Sequence, residues 1–128
     1  MKTVTAAILR DVQGHILLCR RAMGQSNCGL WEFPGGKLEP GETLQECLQR
    51  ELFEELSITS QIGAVIGESE YHYGHGSIRL IALEASWTAG AMELRVHDQV
   101  AWVFPSHLTE YTLSPADVPI AHKLSQPV

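Results

Sequence analysis

Three glutamates carry the most chemistry in this 128-residue sequence. Glu51, Glu54 and Glu55 follow a stretch, Pro34 to Glu42, that holds two prolines and three glycines. At 100° per residue the three carboxylates fan over about 100° of a helix surface. A solvated acidic face is the ordinary reading of such a helix. Three features point elsewhere. Like charges three and four residues apart repel by a few tenths of a kcal/mol each. The glutamates sit near the helix C-terminus, the end that disfavours negative charge. The glycine-rich loop before them lets a backbone carbonyl approach without steric hindrance. Clustered carboxylates and a carbonyl form an oxygen-donor set for Mg²⁺, with Mn²⁺ as a possible substitute. A local rule broken at a cost commonly marks function.

The rest of the chain must position that cluster. Residues 3–10 pattern as a strand, 11–14 as a turn and 15–19 as the returning strand. Residues 20–29 are polar and read as a loop, and 30–33 as a short strand. Thr43 and Glu46 have capping-box spacing and predict a helix over 43–56. Leu44, Leu48, Leu52 and Leu56 form its core-facing stripe. Long β-type stretches follow at 61–73 and 78–87, with turns at 74–77 and 89–91 and a buried strand at 100–104. Ser114 as N-cap, Pro115 at the first position and Asp117 at the third predict a last helix. Trp87 and Trp102 lie in apolar strands and read as core. The pattern is that of one mixed α/β domain over 1–128, without internal repeats.

Composition narrows the partners. The formal net charge is −6 and no Lys/Arg run is present, which argues against a binder of nucleic acid polymers. A phosphate substrate would therefore need its charge met by something other than basic side chains, and a divalent metal is the obvious agent. No apolar run is long enough to span a membrane. The first ten residues resemble a signal peptide only weakly, because Arg10 and Asp11 break the apolar run. Cys19, Cys28 and Cys47 are an odd number without a CxxC pair and read as reduced thiols of a cytoplasmic protein. A monomer or a homodimer suits these features.

Gly36, five residues, Glu42, seven residues, then Arg50-Glu51-Leu52-Phe53-Glu54-Glu55-Leu56-Ser57-Ile58 resembles the Nudix box over 36–58. Six fixed-identity positions match, a coincidence on the order of 10⁻⁸ per starting residue at average usage. The one departure is Ser57, where the family has glycine. A left-handed residue at a helix exit costs a non-glycine about 1 kcal/mol, so Ser57 bears on the helix exit and not on the carboxylates. Leu17 to Ala22, Leu30 to Lys37 and Leu113 to Ile120 extend the resemblance to the MutT-like branch. The last of these is most similar to the (deoxy)cytidine triphosphate pyrophosphohydrolases.

The resemblance implies an α/β/α sandwich with a mixed β-sheet. It also implies water attack on a nucleoside triphosphate, giving nucleoside monophosphate and pyrophosphate. It assigns metal binding to Glu51, Glu54 and Glu55, completed by the carbonyl of Gly36 or Gly35. Glu51 or Glu54 would hold or deprotonate the water, and Arg50 would orient a neighbouring glutamate. Glu42 reads as structural. Lys37 either touches a phosphate or is solvated, and Arg21 either holds an α-phosphate or is a surface residue. Some relatives carry a further glutamate before the late tryptophan strand. Val96 aligns with it, so that group is missing or replaced by His97 or Asp98, which otherwise read as a loop pair without a role.

Asp117 falls where the MutT branch reads the base, with Glu32 and Phe33 lining the same pocket; Phe33 reads equally as core. An ionised Asp only accepts hydrogen bonds, which suits the N4 amino group of cytosine. An 8-oxo-guanine would suit Asn better, unless Asp117 is protonated beside Glu32. Tyr71, His72 and Tyr73 either cover the nucleotide or pack on the sheet, and the other histidines show no ligand spacing. The expectation is a Mg²⁺-dependent pyrophosphohydrolase favouring CTP, dCTP and their 5-substituted forms. The alternatives are an 8-oxo-dGTP sanitiser and a non-catalytic nucleotide-binding domain. The retained Glu51, Glu54 and Glu55 argue against the last.

Overall fold

A computed structural model describes residues 1–127. The chain runs β1 (Lys2–Leu9), β2 (Ile16–Arg21), β3 (Trp31–Glu32), α1 (Leu44–Leu56), β4 (Thr59–Tyr73), β5 (Gly76–Ala89), β6 (His97–Val103) and α2 (Val118–Ser125). Two 3₁₀ turns, Pro105–Glu110 and Pro115–Asp117, precede α2. A mixed sheet, ordered β1-β5-β4, pairs β1 parallel to β5 and β4 antiparallel to β5. It is the mixed sheet that the family resemblance implied. Hydrogen bonding joins β3, β2 and β6 into a second, antiparallel sheet.

Strand alternation builds the sandwich. Ala7, Leu9, Ile81 and Leu83 point to one side, where the α1 leucines 48, 52 and 56 cover them. Ala6, Ile8, Leu80 and Ala82 point to the other, where Ile120 and Ala121 of α2 close the second core. β2 divides likewise, with Leu17 and Cys19 in the first core and Ile16 and Leu18 in the second. The mixed sheet therefore lies between two helices, as an α/β/α sandwich requires. No helix among the described residues is long and apolar enough to cross a membrane.

The capping box forms: Thr43 Oγ1 accepts from the Glu46 amide at 3.1 Å, and the Thr43 amide donates to Glu46 Oε1 at 2.9 Å. Leu44 is only half-buried, and Cys47 joins the buried stripe. Several sequence expectations change. Trp87 and Trp102 are 41% and 37% exposed, not core. Trp87 lies near the end of β5, where its indole donates to the carbonyls of Ala89 and Gly90. Trp102 takes the outward register of β6, leaving the inward one to Val103. β6 is thus buried only at its two ends, and it begins at His97. Ser114 makes no side-chain cap bond; the chain turns first through 3₁₀ geometry, and Asp117 buries its side chain.

Ser57 closes α1 in the left-handed region, at φ 60° and ψ 25°, with its amide donating to the Phe53 carbonyl at 2.9 Å. Its hydroxyl is buried with no partner among the described residues. The left-handed conformation costs a non-glycine about 1–2 kcal/mol, against about 0.5–1 kcal/mol of extra chain entropy for glycine. Ser57→Gly is therefore expected to stabilise the fold by roughly 0.5–1 kcal/mol. The measurement is a denaturant midpoint at unchanged slope; a lower midpoint would show that the serine is unstrained.

Candidate active site

The glycine-rich loop is held as if it were another strand beside β1. The amides of Thr5 and Ala7 donate to the carbonyls of Gly36 and Pro34 at 2.8 and 2.7 Å, and Leu38 N–H donates to the Thr3 carbonyl at 3.0 Å. Thr5 Oγ1 also donates to the Gly36 carbonyl at 3.1 Å. Both lone pairs of that carbonyl are thus engaged, which corrects the expectation that Gly36 offers its oxygen to a metal. Pro34 and Gly36 face β1, so by strand alternation the Gly35 carbonyl faces the opposite way. Both glycines are needed for space. A Cβ on Gly35 would lie 2.0 Å from the Thr5 carbonyl oxygen, and one on Gly36 would lie 2.3 Å from the Glu51 carboxylate carbon. Glu51 therefore rests directly on the Gly36 backbone.

Arg50 organises the acidic face of α1. Its Nε and Nη2 donate to the two carboxylate oxygens of Glu42 at 2.7 and 3.0 Å, and Nη2 also donates to the Lys37 carbonyl at 2.9 Å. Nη1 then reaches Glu51 at 2.8 Å and Glu54 at 3.3 Å. The Arg50 hydrogen bonds hold the Glu42 carboxyl down to about 2, and Glu42 in turn raises the arginine. Glu42 is a structural anchor, as its place in the sequence suggested. Burial pushes the Glu51 carboxyl up, against the pull of Arg50. Burial pushes Glu55 up to about 8, with Glu32 and Glu51 adding repulsion. Glu54 is exposed.

These groups fit a hard divalent cation. Glu51, Glu54 and Glu55 offer carboxylate oxygens, and Glu55 Oε1 is buried with no partner among the described residues. A cation beside it would supply the missing partner and restore the charge that burial opposes.

A second polar group lies deeper. Glu32 Oε2 is 3.4 Å from Arg21 Nη1 and 2.9 Å from Nε2 of His97, whose side chain is fully buried. Arg21 also lies 3.9 Å from Glu55 and donates to the Ser26 carbonyl at 3.2 Å. The sequence offered His97 either as a replacement, like Asp98, for a missing glutamate or as one of a loop pair without a role. A β-bulge explains its placement: Arg20 pairs with Gln99 and Arg21 with His97, so Asp98 is left to face outward. Asp98 pairs with Arg20 at 2.7 Å, away from the carboxylate cluster. The histidine and the aspartate are therefore not a loop pair.

Asp117 is buried, and its Oδ1 has no partner among the described residues. Burial first, then the Glu32 charge, pushes its carboxyl well above the usual range, while the Phe33 amide opposes this. The sequence argument left open an ionised Asp117 and one protonated beside Glu32; burial shifts the balance toward the second. Phe33 is both core and pocket lining. Tyr71 and Tyr73 do not pack on the sheet. They are part-exposed, stack on each other at 6.4 Å, and stand on the cleft wall.

One cleft of about 910 Å³ gathers Arg21, Glu32, Phe33, Gly36, Lys37, Arg50, Glu51, Glu54, Glu55 and Asp117. Of these, Lys37 has its side chain exposed, and Arg21 is engaged by carboxylates. The box carboxylates and the buried Asp117 thus share one cleft. The NUDIX domain model matches residues 1–124. The chain belongs to the Nudix family.

Relatives support the same membership. A CTP pyrophosphohydrolase of Escherichia coli K12 is 36% identical over 120 residues, covering 94% of this chain and 87% of the relative. An 8-oxo-dGTP diphosphatase of Haemophilus influenzae is 31% identical over 121 residues, covering 94% and 89%. Among solved structures, the E. coli ORF135 protein superposes with a TM-score of 0.84 at 35% identity, covering 95% of this chain and 86% of that one. The MutT protein of Methanosarcina mazei reaches 0.86 at 26% identity, with 96% and 91% covered. The protein is thus a Nudix hydrolase of the MutT-like branch, and Nudix hydrolases generally use a divalent metal.

Glu55 yields a test that needs no substrate. In the metal-free fold its carboxyl holds a proton up to about pH 8, whereas the unfolded chain releases it near the ordinary value of 4.5. The native state then binds more protons between those values, so stability falls as pH rises through the window. Melting temperatures of the chelated protein are expected to drop from pH 5 to pH 8. Glu55→Gln is expected to flatten that drop, and Mg²⁺ to reverse it in the wild type. Identical slopes in chelated variant and wild type would place the Glu55 carboxyl at its ordinary value.

Proposed function

We propose that this Nudix hydrolase is a Mg²⁺-dependent pyrophosphohydrolase of cytidine triphosphates. Water attacks phosphorus, the bridging P–O bond breaks, and nucleoside monophosphate and pyrophosphate leave. Glu51, Glu54, Glu55 and the Gly35 carbonyl would hold the metal. When bound, the ion neutralises phosphate charge and makes water more acidic. Glu51 takes the proton of the attacking water: its carboxyl is raised by burial, closer to the operating pH than an exposed carboxylate, and Arg50 fixes its orientation. Lys37, an exposed residue of the cleft lining, would meet a phosphate. Arg21 is better suited to holding Glu32 and Glu55 together than to an α-phosphate.

The single observation carrying the base preference is the buried Asp117, which lines the cleft with Glu32 and has its Oδ1 unpartnered among the described residues. With Asp117 protonated and Glu32 ionised, the two carboxyl groups offer one donor and several acceptors. Cytosine presents two N4 hydrogens and the N3 acceptor, which is the complement. Uracil puts a keto oxygen where the amino group would be, against an acceptor. The 36% identity to a CTP pyrophosphohydrolase supports this reading. A protonated Asp117 also favours a second reading, since it can donate to O6 of 8-oxo-guanine while accepting from N7–H. The names of the diphosphatase relatives agree with that alternative. Either substrate fits a cytoplasmic enzyme, monomeric or homodimeric, that acts on free nucleotides.

Pyrophosphate release with Mg²⁺ over CTP, dCTP, 5-methyl-dCTP, UTP, dGTP and 8-oxo-dGTP decides between them. A kcat/KM for cytidine nucleotides more than about tenfold above the rest is expected, equal to about 1.4 kcal/mol in transition-state binding. A preference for 8-oxo-dGTP would replace the cytidine reading. Glu51→Gln is expected to lower kcat by about 10²–10⁴ in a folded protein. Glu54→Gln is expected to abolish turnover, and unchanged turnover would refute the metal assignment.

A further inference from the structure

We infer that His97 is a positioning residue that fixes which oxygen of Glu32 meets the substrate. The inference rests on the base-reading role of Glu32 proposed above.

His97 reaches Glu32 from behind the cleft. The bulge opposite Arg20 and Arg21 turns it inward while Asp98 stays outside. Its imidazole is fully buried, its Nε2 lies 2.9 Å from Glu32 Oε2, and its Nδ1 has no partner among the described residues. A buried ring with one polar contact is oriented by that contact. Arg21 Nη1 approaches the same Oε2 at 3.4 Å. Two donors, from β2 and β6, thus hold one oxygen of the carboxylate. The other oxygen, Oε1, is left for the cleft that Glu32 lines. A carboxylate held at one oxygen by two strands cannot exchange its oxygens by rotation, so the substrate-facing acceptor keeps one position.

Glu32, Glu55 and His97 also bring ligand atoms within 4.8 Å of one another. Arg21 lies against both carboxylates of that group, so a cationic side chain already occupies the place a second metal would take.

The test compares two amides at position 97. In His97→Gln the amide nitrogen matches the reach of Nε2; in His97→Asn it is too short to reach Glu32. The readout is the ratio of kcat/KM for CTP over UTP, with kcat and KM separated. His97→Asn is expected to lose about tenfold in that ratio through KM, with kcat at saturation changed less than about threefold. His97→Gln is expected to stay within about twofold of wild type. Equal ratios in the two variants would overturn the positioning role. Glu32→Gln serves as the separate control. If it leaves the ratio unchanged, the base-reading role of Glu32 fails; if it lowers the ratio while His97→Asn does not, only His97 is excluded. Should either amide variant not fold, ¹⁵N NMR of the wild-type imidazole decides the matter. The proposal requires a proton on Nε2, and a ring protonated at Nδ1 alone would overturn it.

Discussion

Negative charge is packed into a cleft that partly excludes water, and the architecture is arranged around that repulsion. Glu32, Glu51, Glu54, Glu55 and Asp117 line one cavity. Two arginines keep the set together. Arg50, held by Glu42, draws in Glu51 and Glu54; Arg21 bridges Glu32 and Glu55. Buried charge tolerates such crowding only when it is paired or neutralised. Here both solutions occur: Glu51 and Glu54 are paired with Arg50, and protonation is favoured at Glu55 and Asp117.

The sequence made the acidic face of α1 readable because it is written locally. The carboxylates, Arg50 and Glu42 lie on one helix and the loop that leads into it. Helical geometry and capping chemistry place them without knowledge of the rest of the chain. The stripe of Leu48, Leu52 and Leu56 and the box of Thr43 and Glu46 are equally local. The α/β/α layering followed from family resemblance and from strand alternation, though not the separation of its strands into two sheets.

The parts that sequence reasoning missed are set by pairing across the chain. His97 enters the site because a bulge against β2 reverses which side chain points inward, and no window around residue 97 reveals its partner. The Gly36 carbonyl was misassigned because its hydrogen-bond partner, Thr5, is remote in sequence. The protonation of Asp117 stayed open because its helix position says nothing of the burial imposed by packing around it. Trp87 and Trp102 were misread because apolar strands near a sheet end or an outer edge need not be covered.

The glycine loop has one more consequence. Its amides and carbonyls are interleaved with those of β1, whose inner residues are completely buried. That side of the cleft cannot open by itself; its hydrogen exchange should follow cooperative unfolding of the sheet and not local fraying. The opposite side is made of a hairpin end bearing Tyr71 and Tyr73 and of the loop carrying Ser26 and Asn27. Adaptation to nucleotides of different size then falls to that side alone, like a jaw moving against a fixed anvil.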